Sequence, residues 1–186
     1  MFSGLVYSKD IVVRDLGVLH DQKLLFDIHI NNIISLAYKS LGFIMRISND
    51  FKYAKTFKLL YCTLVRGVLE YASQIWNPKY TIYISRIEAV QKKFIKFLCF
   101  SLGIPYSSRN YLKMCRKFHF LTLESRREVA DLVYLHKIAT SKINCPELLT
   151  QIQFRIPGSV RHKPLLVVPR AFTTYRQNSF FVRVSS

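Results

Sequence analysis

Apolar positions recur along most of this chain at spacings of three and four, the signature of helices that bury one face. From Asp27, the residues Ile30, Ile33, Ile34, Ala37, Tyr38, Leu41, Ile44 and Met45 form one such stripe, with Asn32, Lys39 and Arg46 opposite. A second stripe runs through Tyr53, Phe57, Leu60, Tyr61, Leu64, Val65 and Val68, with Asn49 or Asp50 placed to cap its start. Asn77-Pro78 marks a turn, since proline lacks an N–H and restricts the residue before it. A third helix follows, with Tyr83, Ile87, Val90, Phe94, Phe97 and Leu98 inward, closed by Gly103 and Pro105. A short helix is expected between Asn110 and Lys117. Another runs from about Ser125, where Ser125-x-x-Glu128 has capping-box spacing, to Ser141, with Val129, Leu132, Val133 and His136 as its apolar face. Leu64, Phe94 and Leu132 are thus expected to be deeply buried in one core.

Only the β-branched run Ile11–Leu19 reads as a strand, ending in a turn that contains Gly17. After Pro146 the periodicity fades, and Arg155 to Arg170 holds Pro157, Gly158, Pro164 and Pro169 among basic residues, which reads as a poorly ordered basic tail. The expected fold is mainly α: a helical bundle over 21–145, a short β element within 1–20, and the basic, mostly irregular tail over 146–186.

Composition narrows the function. The 186 residues carry 28 Lys and Arg against 11 Asp and Glu, a formal charge of +17, while half are hydrophobic and 14% aromatic. That apolar content excludes disorder for most of the length, and 4 cysteines are too few for a disulfide scaffold. Cys62, Cys99, Cys115 and Cys145 stand far apart with no C-x-x-C spacing, as in proteins of a reducing compartment. No apolar run approaches the ~18 residues of a spanning helix. The start lacks the charged, apolar and small-residue order of a secretory signal, so an intracellular place, nucleus or cytoplasm, is expected.

The search for chemistry finds no active site. Two-metal catalysis needs carboxylates converging on ions ~4 Å apart, and the acids here are scattered singly. Glu124, Glu128 and Asp131 share one stretch, but Arg126 and Arg127 between them favour an ion-paired face. His20, His29, His119, His136 and His162 show no metal-binding spacing; His29, near a helix start, reads as structural. No nucleophile elbow or phosphate-cradling glycine loop occurs. No metal and no cofactor is expected. What remains is positive charge beside aromatic residues: Arg86, Lys92, Lys93 and Lys96 on the third helix, Lys113, Arg116 and Lys117 nearby, and Arg126 and Arg127 further on. Such clusters bind phosphate backbones by releasing counterions. A basic helix lying on anionic lipid is the weaker alternative, because the apolar stripes are numerous enough to bury one another.

Several segments follow one another in the order of a known family: Arg14-Asp-Leu-Gly-Val18, His29-Ile30, Leu41-Gly-Phe-Ile44, Leu60-Tyr61, Leu64-Val-Arg66, Leu69-Glu-Tyr-Ala-Ser73, Ile75-Trp-Asn-Pro78, Ile87-Glu-Ala-Val-Gln-Lys-Lys-Phe94 and Arg126-Arg127. From about Ile11 to Arg183 the chain resembles the region downstream of the catalytic palm in jockey-like non-LTR retrotransposon (LINE) reverse transcriptases. The most specific pieces are L-E-Y-A-S-x-x-W-x-P and I-E-x-x-Q-x-K-F. The resemblance implies a thumb-like bundle that grips a template-primer duplex by its backbone, after an end-of-palm strand. Catalytic aspartates of the family lie in an [FY]-x-D-D segment that this chain does not contain. Gly67 stands where the family usually has proline, and the downstream Trp-Asn-x-Leu-Pro is missing. These departures imply a truncated fragment that is not an enzyme on its own, with nucleic acid, and the missing palm, as partners. Arg86, Lys92, Lys93 and Lys96 are the first candidates for phosphate contact, and Arg126 and Arg127 the second. The competing reading is an orphan structural or protein-interaction module with no nucleic-acid role.

Overall fold

The computed structural model describes residues 12–47, 53–152 and 179–185, with isolated positions between 166 and 176. Ile11, Asn49, Asp50, Arg155, Pro157, Gly158, His162, Pro164 and Pro169 lie outside the described residues. The fold is mainly helical with a short two-stranded antiparallel sheet near the N-terminus. The chain divides into two compact units, Met1–Ala72 with Pro78–Arg126, and Ser73–Asn77 with Arg127–Ser186.

The first unit opens with a hairpin where the sequence suggests one strand. β1 (Val13–Asp15) and β2 (Val18–His20) pair with Val13 opposite His20 and Asp15 opposite Val18. Leu16 and Gly17 form the two-residue connection with φ of 44° and 89°, the left-handed pair that matches the twist of paired strands and that glycine adopts without steric cost. The Tyr71 hydroxyl donates to the Leu16 carbonyl at 2.9 Å. Beyond the hairpin, the Asp21 carboxylate accepts from the Phe26 and Leu25 amides at 2.8 and 3.2 Å, holding the turn that leads into α1 (Asp27–Ile47). Ile30, Ile33, Ile34, Ala37, Leu41 and Ile44 of the predicted stripe are the buried face of α1, joined by His29, while Tyr38 and Met45 are half-buried. The Leu19 amide donates to His29 Nδ1 at 3.3 Å, which requires an unprotonated nitrogen there, and burial followed by the neighbouring His20 pulls the His29 pKa below its ordinary 6.5.

The second predicted helix is one helical run with a widened centre: α2 (Ala54–Leu60), a π-helical turn (Tyr61–Arg66) and α3 (Gly67–Glu70). Its buried residues are Phe57, Tyr61, Val65 and Leu69, each four after the last. In an α-helix every fourth residue advances by roughly 40°, so three steps would carry the stripe about 120° around the axis. A turn closed by i→i+5 bonds is wider and brings such residues back toward one line. Leu64 falls off that line and is 40% exposed, and Tyr53 is 76% exposed, so neither joins the core as expected.

Helix α5 (Thr81–Ser101) follows the Asn77-Pro78 turn. It ends in a Schellman cap: Gly103 has φ 65°, its amide donates to the Phe100 carbonyl, and the Ile104 amide donates to that of Cys99 at 2.8 Å. Phe94 is fully buried as expected, stacked on Tyr61 at 4.2 Å between ring centroids, and Phe120 meets both rings edge-on. Helix α6 (Tyr111–Lys117) follows a 3-10 turn (Ser108–Asn110) and adds Tyr111, Met114 and Cys115 to this core.

Helix α7 (Leu123–Ala139) begins two residues before the expected start. Thr122 is the capping residue, its hydroxyl accepting from the Ser125 amide at 3.2 Å. The predicted apolar face is reversed. Val129, Leu132 and Val133 are 51%, 55% and 46% exposed and His136 is exposed, whereas Arg127, Asp131 and Ile138 are buried. With Leu64 and Leu132 both exposed, the common core expected for Leu64, Phe94 and Leu132 does not exist in that form.

The second unit contains α4 (Ser73–Trp76), most of α7, α8 (Pro146–Thr150) and α9 (Phe180–Ser185). The last two fall in the stretch read as tail. Pro146 opens α8, where its missing N–H costs nothing. Phe180 of α9 meets Tyr134 edge-on at 5.2 Å between centroids, and Arg183 pairs with Asp131 at 3.2 Å.

Candidate nucleic-acid interface

The motif residues in α5 divide between core and surface. Glu88 and Gln91, two of the three polar members of I-E-x-x-Q-x-K-F, are buried in a network. Gln91 accepts from the Tyr61 hydroxyl at 3.1 Å, and its amide nitrogen donates to the Tyr111 hydroxyl and to the Leu121 carbonyl, both at 2.9 Å. Tyr111 donates to one oxygen of Glu88, and the Leu123 amide donates to the other at 2.9 Å. Burial, reinforced by Glu88, pushes both phenols well above the ordinary tyrosine range, so each keeps the proton that it donates. These side chains fix the segment entering α7.

Outward, Arg86, Lys92, Lys93 and Lys96 are all exposed. At about 100° per residue, and taking Lys92 as zero, Lys96, Lys93 and Arg86 fall at roughly 40°, 100° and 120°, a single arc opposite the buried face. Three of the four lie over aromatic rings, Arg86 over Tyr83 at 5.9 Å, Lys92 over Tyr111 at 5.4 Å and Lys93 over Tyr38 at 5.1 Å. Cation–π attraction of about 0.5–1 kcal/mol at exposed sites narrows where each charge sits without neutralising it. The arc contains no acid. Among the described acids of this unit, Asp21, Asp27, Glu70 and Glu88 are buried or half-buried and only Asp15 and Glu124 are exposed. Lys113, Arg116 and Lys117 of α6 are exposed as well.

Arg126 and Arg127 are placed differently. Both Arg126 Nε and Nη2 donate to the Glu70 carboxylate, the second at 2.9 Å, and this bonding raises the already high guanidinium pKa. Arg127 is 1% exposed, and its Nε donates to Asn77 Oδ1 at 2.9 Å. Asn77 in turn donates to Asp131 at 3.4 Å. Burial raises the Asp131 pKa despite the opposing pull of Arg183, whose own pKa the same burial lowers. Glu70 and Asn77 belong to the L-E-Y-A-S-x-x-W-x-P stretch, so the resemblance motifs and the two arginines form fold-building pairs. Arg127 is thus enclosed, while Arg126 is engaged by Glu70 with 31% of its side chain still open to water.

Two large apolar side chains, Ile82 and Phe100, also stand exposed on the α5 arc, one near each end of the helix. Phe100 falls at roughly 80° on the same count, between Lys96 and Lys93, and is 84% exposed. The same periodicity signals it, although in the sequence it closes the unbroken apolar run Phe97–Phe100. Elsewhere in the unit, a pocket of about 260 Å³ is lined by Leu98 and Phe120 together with Lys55, Lys58 and Lys117. Lys58 donates to the Phe118 and His119 carbonyls at 3.0 and 3.1 Å. Cys99 and Cys115 are buried thiols, their pKa raised by burial. Among the described residues no group of three or more His, Cys, Asp or Glu could hold a metal ion, and no helix is long and apolar enough to cross a membrane. No protein-family model, curated protein or solved structure matches the chain.

Proposed function

We propose that this chain is a nucleic-acid-binding helical module, similar to the thumb region of a non-LTR retrotransposon reverse transcriptase, that holds a phosphate backbone along α5 and performs no chemistry itself. The observation that carries this reading is the α5 face: four exposed cations on one arc with no acid among them, in a unit whose described acids are mostly buried or half-buried. Such a face repels itself in isolation and is relieved by a polyanion. Phosphate contacts of this kind position a strand without reading its sequence. Replacing Arg86, Lys92, Lys93 and Lys96 together by Ala should make the slope of log K against log salt shallower by about 3 to 4 units, at ~0.9 per duplex contact or ~0.7 per single-strand contact. Preference among sequences should not change. An unchanged slope in the folded variant overturns this reading.

The second reading, a protein-interaction module without a nucleic-acid role, is favoured by the exposed Val129, Leu132 and Val133 of α7. Absence of salt-dependent binding to any strand would select it.

A further inference from the structure

The α5 arc carries more than charge. Phe100 stands one turn beyond Lys96, within the basic arc, with 84% of its surface in water. At about 1.5 Å per residue, Lys92, Lys93 and Lys96 precede it along the helix axis by roughly 12, 10 and 6 Å. A stacked strand advances about 3.4 Å per nucleotide, so the three cations and the ring span some three or four nucleotides.

The pairing of cations with an exposed ring sorts the possible partners. Within a duplex, base faces are covered by their neighbours, and a backbone laid along this face would set phosphates against an apolar ring. An unpaired strand offers phosphates to the lysines and a base face to the phenyl group, the combination by which single strands are held without sequence preference. A lipid surface fits less well. An interfacial helix inserts a continuous apolar face, and that face of α5 is buried in the core. Only Ile82 and Phe100 are large exposed apolar residues on this arc, and they stand at opposite ends of the helix, roughly 27 Å apart.

Resting on the nucleic-acid reading above, we propose that the α5 face binds an unpaired strand, with Lys92, Lys93 and Lys96 on successive phosphates and one base stacked on Phe100. The test uses the full chain, a labelled oligothymidylate of about 16 nucleotides and a duplex of the same length. Phe100→Ala should weaken strand binding by about 5- to 150-fold with the salt slope unchanged, because stacking releases no counterions. Phe100→Trp should retain affinity, and Phe100→Leu, apolar but without a π-face, should lose it as Ala does. Duplex binding should be nearly indifferent to all three. Since Phe100 is exposed, these variants are expected to fold, which circular dichroism checks. Salt-dependent strand binding that ignores Phe100→Ala overturns the stacking site and leaves the backbone reading intact. Absence of strand and duplex binding by the wild type overturns both. Binding to phosphatidylserine vesicles that Phe100→Ala abolishes, with strand binding untouched, assigns the ring to lipid and overturns the proposal.

Discussion

Helices α5 and α7 both carry basic residues, and both show branched apolar residues at helical spacing. In α5 the pattern and the burial agree, with Ile87, Val90, Phe94 and Leu98 inside and Arg86, Lys92, Lys93 and Lys96 outside. In α7 they disagree: Arg127 and Asp131 are inside while Val129, Leu132 and Val133 are outside. The difference lies in the partners. Arg126 meets Glu70 and Arg127 meets Asn77, residues fifty or more positions away, whereas the basic arc of α5 carries no acid of its own. A basic residue is available to a ligand only when the fold has not already supplied its counterpart.

The two helices differ most in what their apolar side chains contribute to stability. Phe94→Ala should cost about 3–5 kcal/mol, since it empties a fully buried site stacked on Tyr61, while Leu132→Ala should stay within about 0.5 kcal/mol. Denaturant midpoints at constant m-value decide it, and an equal loss at both would mean that Leu132 is buried after all. Next in size is Arg127→Ala, expected to cost about 2–4 kcal/mol by leaving a cavity, removing the donor to half-buried Asn77 and taking a nearby positive charge from buried Asp131. Each single Ala replacement among the α5 cations should lie within about 0.5 kcal/mol, so a small loss at Arg127 would erase the contrast. The smallest expected effect is at Arg126. A double-mutant cycle with Glu70 should give a coupling of about 1 kcal/mol, because the pair is bidentate but remains partly open to water. Zero coupling would return Arg126 to the pool of cations free for phosphate.

Where one face is apolar and its partners are local, the residues spell out the structure in advance. The stripe of α1 and the Gly103 stop of α5 are of this kind. The hairpin was hidden because Leu16-Gly17 lacks the Asn-Gly spelling of its turn type, with leucine itself at positive φ. The widened turn at Tyr61–Arg66 was hidden because stripes are counted at 3.6 residues per turn, which puts Leu64 on the wrong side. The basic arc of α5 was legible, and Phe100 within it was legible by angle but masked by the apolar run that it ends.

By itself the sequence determined the mainly helical class, the positive charge, and which face of α1 and α5 is apolar, because all three follow from composition and from periodicity within single segments. Only the tertiary structure decided which cations remain outside. Pairs such as Glu70–Arg126 and Asn77–Arg127 are contacts between residues far apart in the chain, and a buried polar group is tolerated only where the fold brings it a partner. Periodicity along one helix carries no record of what the rest of the chain will set against it.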